Sequence, residues 1–146
     1  VAVFLSFDGE LDTQPLIEQL WRAGKRVYLP VLHPFSAGNL LFLNYHPQSE
    51  LVMNRLKIHE PKLDVRDVLP LSRLDVLITP LVAFDEYGQR LGMGGGFYDR
   101  TLQNWQHYKM QPVGYAHDCQ LVEKLPVEEW DIPLPAVVTP SKVWEW

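Results

Sequence analysis

The sequence predicts a single-domain α/β fold of three layers, in which a mostly parallel sheet lies between helices on both faces. Its 146 residues are 47% hydrophobic and 21% charged, which is ordinary for one folded domain. The chain opens with strand, helix and strand signals joined by short connections, a pattern typical of a parallel βαβ unit. Further apolar runs follow, separated by a second helical pattern. We therefore predict that residues 1–146 form one domain.

The opening βαβ unit is predicted from its apolar pattern. Residues 1–7 are an apolar run rich in β-branched and aromatic side chains, which favours a buried strand. Thr13 is placed to be a helix N-cap, and Gly24 is placed to end that helix. Between them, apolar residues at helical spacing define one face, namely Leu16, Ile17, Leu20 and Trp21. A second buried strand is predicted over residues 26–31.

The remaining elements follow from shorter signals. Prolines interrupt any long helix between residues 50 and 73, so we expect a loop-rich excursion with one short helix there. The predicted elements are a strand over 40–45, a short helix near 64–69, a strand over 75–80, a long loop over 81–96, a helix over 97–107, and strands over 112–116 and 136–139.

Charge and composition exclude several classes of protein. The formal net charge of −5 disfavours a nucleic-acid binder, because phosphate neutralisation needs a basic surface. The sequence has no apolar run of about 18 residues, so no membrane partner is expected. Cys119 is the only cysteine, which rules out an intramolecular disulfide and fits a cytoplasmic location.

Chemistry is concentrated in the loop between the strand at 75–80 and the helix that starts near Phe97. This loop lies at the carboxyl edge of the predicted sheet, where open α/β folds bind ligands. Its glycines could point several N–H groups at one anion, or could simply form a tight turn. Arg90 could hold a phosphate through a bidentate contact. Asp99 could hold Mg²⁺ beside that phosphate, or could only favour the start of the helix.

The loop also carries a resemblance. Residues 83–102 read Ala-Phe-Asp-Glu-Tyr-Gly-Gln-Arg-Leu-Gly-Met-Gly-Gly-Gly-Phe-Tyr-Asp-Arg-Thr-Leu, and they resemble the signature of the 5-formyltetrahydrofolate cyclo-ligase family, the 5,10-methenyltetrahydrofolate synthetases. Three other stretches are similar to that family. They are residues 5–13, residues 58–61, where Ile-His-Glu-Pro corresponds to Ile-Pro-Glu-Pro, and the acidic residues 126–131.

The resemblance implies an enzyme that uses ATP and Mg²⁺ to cyclise 5-formyltetrahydrofolate to 5,10-methenyltetrahydrofolate, with release of ADP and phosphate. Its partners would be these small molecules. By position in the motif, the implied metal ligands are Asp99 and Asp131, and the folate-binding residues are Leu5 and Glu10. Arg90 and Tyr98 would be catalytic. The implied ATP-binding residues are Arg90, Leu91, Gly92, Met93, Gly94, Gly95, Gly96, Phe97, Tyr98 and Arg100.

Two departures from the family pattern leave an alternative open. Many members carry lysine where this chain has Gly95, and the family begins with a basic helix that no residues before Val1 supply here. We therefore expect such a helix to be missing from this sequence. The alternative is a catalytically inactive folate- or nucleotide-binding module of the same fold. A sugar-phosphate isomerase or transferase relative is a third, weaker reading.

Overall fold

A computed structural model of the chain describes residues 1–6, 10–36, 38–54, 56–92, 96–126, 128 and 131–146. The helices are α1 (Gln14–Arg22) and α2 (Phe97–Leu102), with short 3-10 helices at Val65–Asp67, Leu71–Arg73, Trp105–His107 and Asp118–Gln120. The strands are β1 (Val27–Leu32), β2 (Leu40–Tyr45), β3 (Leu51–Met53), β4 (His59–Pro61), β5 (Val68–Leu69), β6 (Val76–Thr79), β7 (Ala83–Phe84), β8 (Arg90–Leu91), β9 (Gln111–Tyr115), β10 (Ala136–Val138) and β11 (Val143–Glu145).

The first residues of the chain join two groups of strands into one sheet. Ala2 pairs in parallel with Tyr28 of β1 on one side and with Leu77 of β6 on the other. The Ala2 N–H donates to the Val76 carbonyl at 2.8 Å, and the Val3 N–H donates to the Tyr28 carbonyl at 2.9 Å. The strand predicted over 1–7 therefore occupies a central position, although only a bridge at Ala2 has regular pairing, and Phe7 lies outside the described residues.

The sheet is parallel at its centre and antiparallel toward both margins. Its order is β5, β2, β1, the segment at Ala2, β6, β9, β10 and β11. The central pairs, from β1 through Ala2, β6 and β9 to β10, are parallel. The pairs β1–β2, β2–β5 and β10–β11 are antiparallel. The predicted α/β class with a mostly parallel sheet is confirmed, as is the opening parallel βαβ unit.

Two apolar clusters cover the two faces of this sheet. Alternate residues of a strand point to opposite faces, and Val27 and Tyr28 accordingly pack in different clusters. Ile17 of α1 is fully buried in the cluster with Val27. Leu102 of α2 is fully buried in the cluster with Tyr28. Helices therefore pack on both faces, as the sequence predicts.

Several predicted boundaries are wrong. The helix expected over 97–107 ends at Leu102, because Asn104 adopts the left-handed conformation with φ 61°, and the chain resumes as a 3-10 helix. The short helix near 64–69 is a three-residue 3-10 turn. The antiparallel hairpins β3–β4 and β7–β8 and the edge strand β11 are additional to the predicted elements.

Thr13 occupies the N-cap position of α1, but its hydroxyl caps nothing in the helix. It donates instead to the Phe4 carbonyl at 2.6 Å, a buried hydrogen bond. Thr13 thus attaches the start of α1 to the end of the central segment. Within the part of the chain that the structure describes, no helix is long and apolar enough to cross a membrane.

Candidate active site

A cavity of about 730 Å³ opens at the carboxyl edge of the parallel strands. The chain leaves the central segment at Phe4 and Leu5, leaves β1 at Leu32, and leaves β6 at Pro80, and all four residues line the cavity. Hairpin β3–β4, the loop that carries β8 and the first turn of α2 supply other walls, together with Leu125, Pro126, Glu128 and Asp131. The cavity therefore lies where the sheet topology leads one to expect a ligand.

The lining divides into two kinds of side chain. One part is apolar and includes Phe4, Leu5, Leu29, Leu32, Leu40 and Ile58. The other part presents charged and amide groups, among them Glu10, Asn54, Glu60, Arg90, Asp99 and Asp131. Such a surface suits a ligand with an aromatic or aliphatic body and a charged end.

Arg90 is the buried cation of this cavity. Its side chain is only 5% exposed, and one Nη donates to the Pro80 carbonyl at 2.9 Å. The other Nη lies 3.4 Å from a carboxylate oxygen of Asp99. Among the described residues its Nε, which is also buried, has no hydrogen-bond partner. Burial lowers the pKa of Arg90, while the charges of Asp99 and Asp131 act to raise it. A buried guanidinium with an unused donor is suited to an anion.

Asp99 reaches Arg90 from the first turn of α2. The helix starts after Gly96, whose φ of +70° is a left-handed conformation that favours glycine. This turn sets Phe97, Tyr98 and Asp99 along the cavity wall. The Asp99 side chain is 19% exposed, so its carboxylate is paired with Arg90 on one side and is still open to the cavity.

Tyr98 lies beneath the same guanidinium. The Arg90 guanidinium carbon is 5.8 Å from the centre of the Tyr98 ring, within the range of a cation–π contact. Burial raises the pKa of the Tyr98 phenol, the Arg90 charge lowers it, and the Glu10 charge raises it again. The net pKa is well above the usual value, so Tyr98 is a neutral hydrogen-bond donor in neutral solution.

Asp131 closes the opposite wall through a turn. The Glu128 N–H donates to a carboxylate oxygen of Asp131 at 2.8 Å, and the Asp131 N–H donates back to the Glu128 carbonyl at 3.1 Å. Both residues line the cavity. Asp99 and Asp131, the two carboxylates predicted as metal ligands, both line the cavity, and their charges both act to raise the pKa of Arg90.

Most of the predicted site residues meet at this cavity. Those that line it are Leu5, Glu10, Arg90, Leu91, Gly92, Gly96, Phe97, Tyr98, Asp99 and Asp131. Arg100 is not in the lining, and its guanidinium donates to the Gly38 carbonyl at 2.9 Å. Met93, Gly94 and Gly95 lie outside the described residues. Residues predicted to bind folate, ATP and the metal therefore line the same cavity.

The sequence analysis missed a carboxylate of the cavity wall. Glu60 of β4 accepts hydrogen bonds from the Leu32 N–H at 3.1 Å and from the Asn54 side-chain amide at 2.9 Å, both at Oε2. These bonds attach hairpin β3–β4 to the end of β1. The available signal is the Ile-His-Glu-Pro stretch at 58–61, which carries part of the family resemblance without indicating a role for Glu60.

The donor set can be tested against a metal ion. The described residues contain no cluster of three or more histidine, cysteine or acidic side chains suited to a metal. Mg²⁺, however, is usually held by one or two carboxylates together with substrate phosphates and water. Asp99 and Asp131 supply two hard oxygen ligands beside a cationic side chain, so the residues present fit Mg²⁺ that arrives with a phosphate ligand.

Comparison with known proteins gives the family. The sequence model described as the 5-formyltetrahydrofolate cyclo-ligase family matches residues 1–140. The chain is 99% identical over 146 residues to a 5-formyltetrahydrofolate cyclo-ligase of Escherichia coli strain K12, covering all of this chain and 80% of that protein. It is 60% identical over 134 residues to one from Haemophilus influenzae, covering 92% of this chain and 72% of that protein.

Solved structures of related proteins have the same fold as this chain. The fold matches that of a 5,10-methenyltetrahydrofolate synthetase from Aquifex aeolicus with a TM-score of 0.79 and 31% identity, covering 99% of this chain and 70% of that chain. A synthetase from Mycoplasma pneumoniae, at 21% identity and a TM-score of 0.68, has the same fold and covers 93% of this chain and 70% of that chain. With the match over residues 1–140, these relatives show that the chain is an enzyme of the 5-formyltetrahydrofolate cyclo-ligase family.

Proposed function

We propose that this enzyme uses ATP and Mg²⁺ to convert 5-formyltetrahydrofolate to 5,10-methenyltetrahydrofolate, releasing ADP and phosphate. The observation that carries the proposal is that Arg90, Asp99 and Asp131 share one cavity with a large apolar wall. A folate has an aromatic body for that wall, and a triphosphate has the charge for the polar end. The family relatives support the same assignment.

The reaction needs activation of an amide oxygen. The N5-formyl group is an amide, whose oxygen leaves poorly. In the proposed first step the formyl oxygen forms a bond to the γ-phosphorus as the bond from that phosphorus to ADP breaks. N10 then attacks the formyl carbon and loses its proton, and the carbon–oxygen bond breaks to release phosphate. Most of the catalysis is positioning and charge neutralisation.

Arg90 is proposed to bind the transferring phosphoryl group. The Pro80 carbonyl holds one Nη in place, so the guanidinium is oriented before any ligand arrives. Preorganised donors of this kind stabilise charge that develops in a transition state. Tyr98, which is protonated at neutral pH, would donate its hydroxyl to an oxygen of the same group. Gly92 and Gly96, which line the cavity without side chains, would give the triphosphate access to their backbone.

Asp99 and Asp131 are proposed to hold Mg²⁺. Bound there, the ion would offset the charge of the triphosphate and keep the two carboxylates from repelling it. The Arg90–Asp99 contact of 3.4 Å involves one carboxylate oxygen of Asp99, and the side chain is 19% exposed, so the other oxygen would be available to a metal.

The folate is proposed to lie along the apolar wall. Leu5 would pack against its ring system, and the Glu10 carboxylate would accept hydrogen bonds from the amino edge of the pterin. We place the reaction in the cytoplasm, where the exposed free thiol of Cys119 would stay reduced.

Absorbance of the methenyl product tests the proposal. The chain is mixed with 5-formyltetrahydrofolate, ATP and Mg²⁺, and product formation is compared with reactions that lack ATP or Mg²⁺. We expect formation only in the complete mixture. Binding of both ligands by calorimetry without any product would instead support the inactive binding module.

Arg90→Gln tests the central residue. We expect kcat/KM for ATP to fall by about 100-fold or more, as on loss of a preorganised donor to a transition state. Arg66→Gln makes the same change at a side chain that is 86% exposed, and should leave kcat/KM unchanged. Equal activity in the two variants would remove Arg90 from the mechanism.

A further inference from the structure

Asp85 is a buried carboxylate to which the mechanism above gives no role. It is 0% exposed and begins the turn between β7 and β8, the hairpin that delivers Arg90 to the cavity. It has no lysine, arginine or histidine among its hydrogen-bond partners in the described residues. A buried carboxylate is costly unless hydrogen bonds satisfy it, so its contacts indicate why it is there.

The two oxygens of Asp85 hold two different segments. Oδ1 accepts from the Tyr87 N–H at 2.9 Å and from the Gln89 N–H at 3.1 Å, which fixes the turn immediately before Arg90. Oδ2 accepts from the Leu125 N–H at 2.9 Å, across 40 residues of sequence. Leu125 is itself buried and lines the cavity.

The hydrogen bond from Leu125 to Asp85 lies where the chain joins the cavity wall. Before it, residues 120–122 run beside β7: the Gln120 side chain donates to the Leu81 and Val82 carbonyls, and the Val122 N–H donates to the Phe84 carbonyl. Beyond it, Pro126, Glu128 and Asp131 line the cavity. Among the described residues, the bond to Asp85 is the last of this series before the segment that carries Glu128 and Asp131.

We propose that Asp85 is a positioning residue, whose carboxylate fixes the segment bearing Asp131 against the hairpin bearing Arg90, so that Asp131 can hold Mg²⁺ on the bound triphosphate. The inference rests on the proposed function and adds a residue to it. Asp85 does not line the cavity and acts only through the two segments that it joins.

Asp85→Asn is the test variant, because asparagine keeps the size of the side chain but only one acceptor oxygen. The asparagine should orient its oxygen toward the turn, where it accepts from two N–H groups, those of Tyr87 and Gln89. Its NH₂ group would then face the Leu125 N–H, and that hydrogen bond would be lost. We expect hydrogen exchange at the Leu125 amide to accelerate at least tenfold, with the Tyr87 and Gln89 amides still protected. Asp64→Asn is the matched control, since Asp64 also accepts from a backbone N–H, that of Arg66, but lies away from the cavity.

Binding separates positioning from general loss of structure. Calorimetry measures the affinity for a non-hydrolysable ATP analogue with and without Mg²⁺. In the wild type and in D64N, Mg²⁺ should strengthen binding; in D85N this gain should fall about tenfold, while metal-free affinity stays within twofold. In an Asp131→Asn background, D85N should cause no further loss of the Mg²⁺ gain, because Asp85 acts on the metal only by positioning Asp131.

Several outcomes would overturn the inference. The inference fails if D85N keeps the full gain in affinity with Mg²⁺, or if its Leu125 amide is as protected from exchange as in the wild type. It also fails if the losses of D85N and D131N add. If D85N does not fold, Leu125→Pro deletes the same hydrogen bond from the donor side, and its gain in ATP-analogue affinity with Mg²⁺ is measured by the same calorimetry. A wild type without any Mg²⁺ gain would overturn the proposed function as well, whereas the outcomes above leave that function standing.

Discussion

Tyr98 shows how burial sets the chemical state of a residue in the cavity. Its ring lies under the Arg90 guanidinium, which favours ionisation, yet burial dominates and the pKa of the phenol is raised. The hydroxyl therefore stays protonated through the range in which an exposed tyrosine ionises. A neutral donor can hydrogen-bond a phosphoryl oxygen, whereas a phenolate would repel it.

The raised pKa of Tyr98 predicts a loss of stability at alkaline pH. Above the ordinary value of 10.0 the unfolded chain loses this proton and the folded chain keeps it, so the free energy of unfolding falls as pH rises. The slope from this residue is at most about 1.4 kcal/mol per pH unit. Urea denaturation between pH 9 and pH 11 should show a shallower fall in Tyr98→Phe. A fall as steep as in the wild type would contradict the assignment.

Some site residues could be proposed from the sequence pattern alone, and others only through the family signature. Arg90 and Asp99 stand in a glycine-rich loop, and charge at such a loop indicates a phosphate site but equally fits a helix start. Leu5 and Glu10 carry no local signal of function. Asp85 was missed because a buried aspartate that accepts only backbone N–H groups has the same sequence pattern as a solvated turn residue.

At the scale of elements, hairpin β3–β4 places Ile58 and Leu56 on the cavity, and one carboxylate fixes the hairpin. The Asn54 side-chain oxygen accepts from the N–H groups of Leu56 and Ile58, and the Asn54 amide in turn donates to Glu60. Glu60 also accepts from Leu32 in β1. The position of this wall therefore depends on Glu60.

Glu60→Ala should move the hairpin and weaken binding of the folate. Loss of the acceptor leaves the Leu32 N–H unsatisfied, at a cost of about 1–3 kcal/mol. We expect KM for 5-formyltetrahydrofolate to rise about tenfold, with KM for ATP within twofold. Glu50→Ala is the control, because Glu50 is 68% exposed and forms a long ion pair of 3.9 Å with Lys62. A rise in both KM values, or none, would contradict this role for the hairpin.

Long periodic elements were predictable and short ones were not. Helix α1 was predicted because its apolar residues repeat at helical spacing over nine residues. Strands β7 and β8 have two residues each, too few to show any alternation. Helix α2 was predicted too long because Trp105 continues the apolar spacing of Tyr98 and Leu102. Asn104, whose left-handed conformation follows the end of the helix, does not interrupt that spacing.

At the scale of the whole molecule, the sheet depends on the segment at Ala2. This residue is 0% exposed and connects the β1 group to the β6 group, and the same segment continues to Phe4 and Leu5 at the cavity. The centre of the sheet and the cavity wall therefore share this segment. The single domain over 1–146 stays a prediction.

Ala2→Pro should weaken the sheet at its centre. Proline removes the N–H that donates to the Val76 carbonyl at 2.8 Å, and we expect a loss of about 2–4 kcal/mol in the free energy of unfolding. Urea denaturation followed by fluorescence and by circular dichroism measures this. A midpoint equal to that of the wild type would show that the two groups of strands do not need this segment.

The central claim is that the formyl oxygen is phosphorylated before the ring closes. 5-Formyltetrahydrofolate labelled with ¹⁸O in the formyl group tests it most directly, with the released inorganic phosphate analysed by mass spectrometry. We expect one ¹⁸O atom in each phosphate released, because the carbon–oxygen bond breaks after the phosphorus–oxygen bond forms. Label found in water, with unlabelled phosphate, would contradict it.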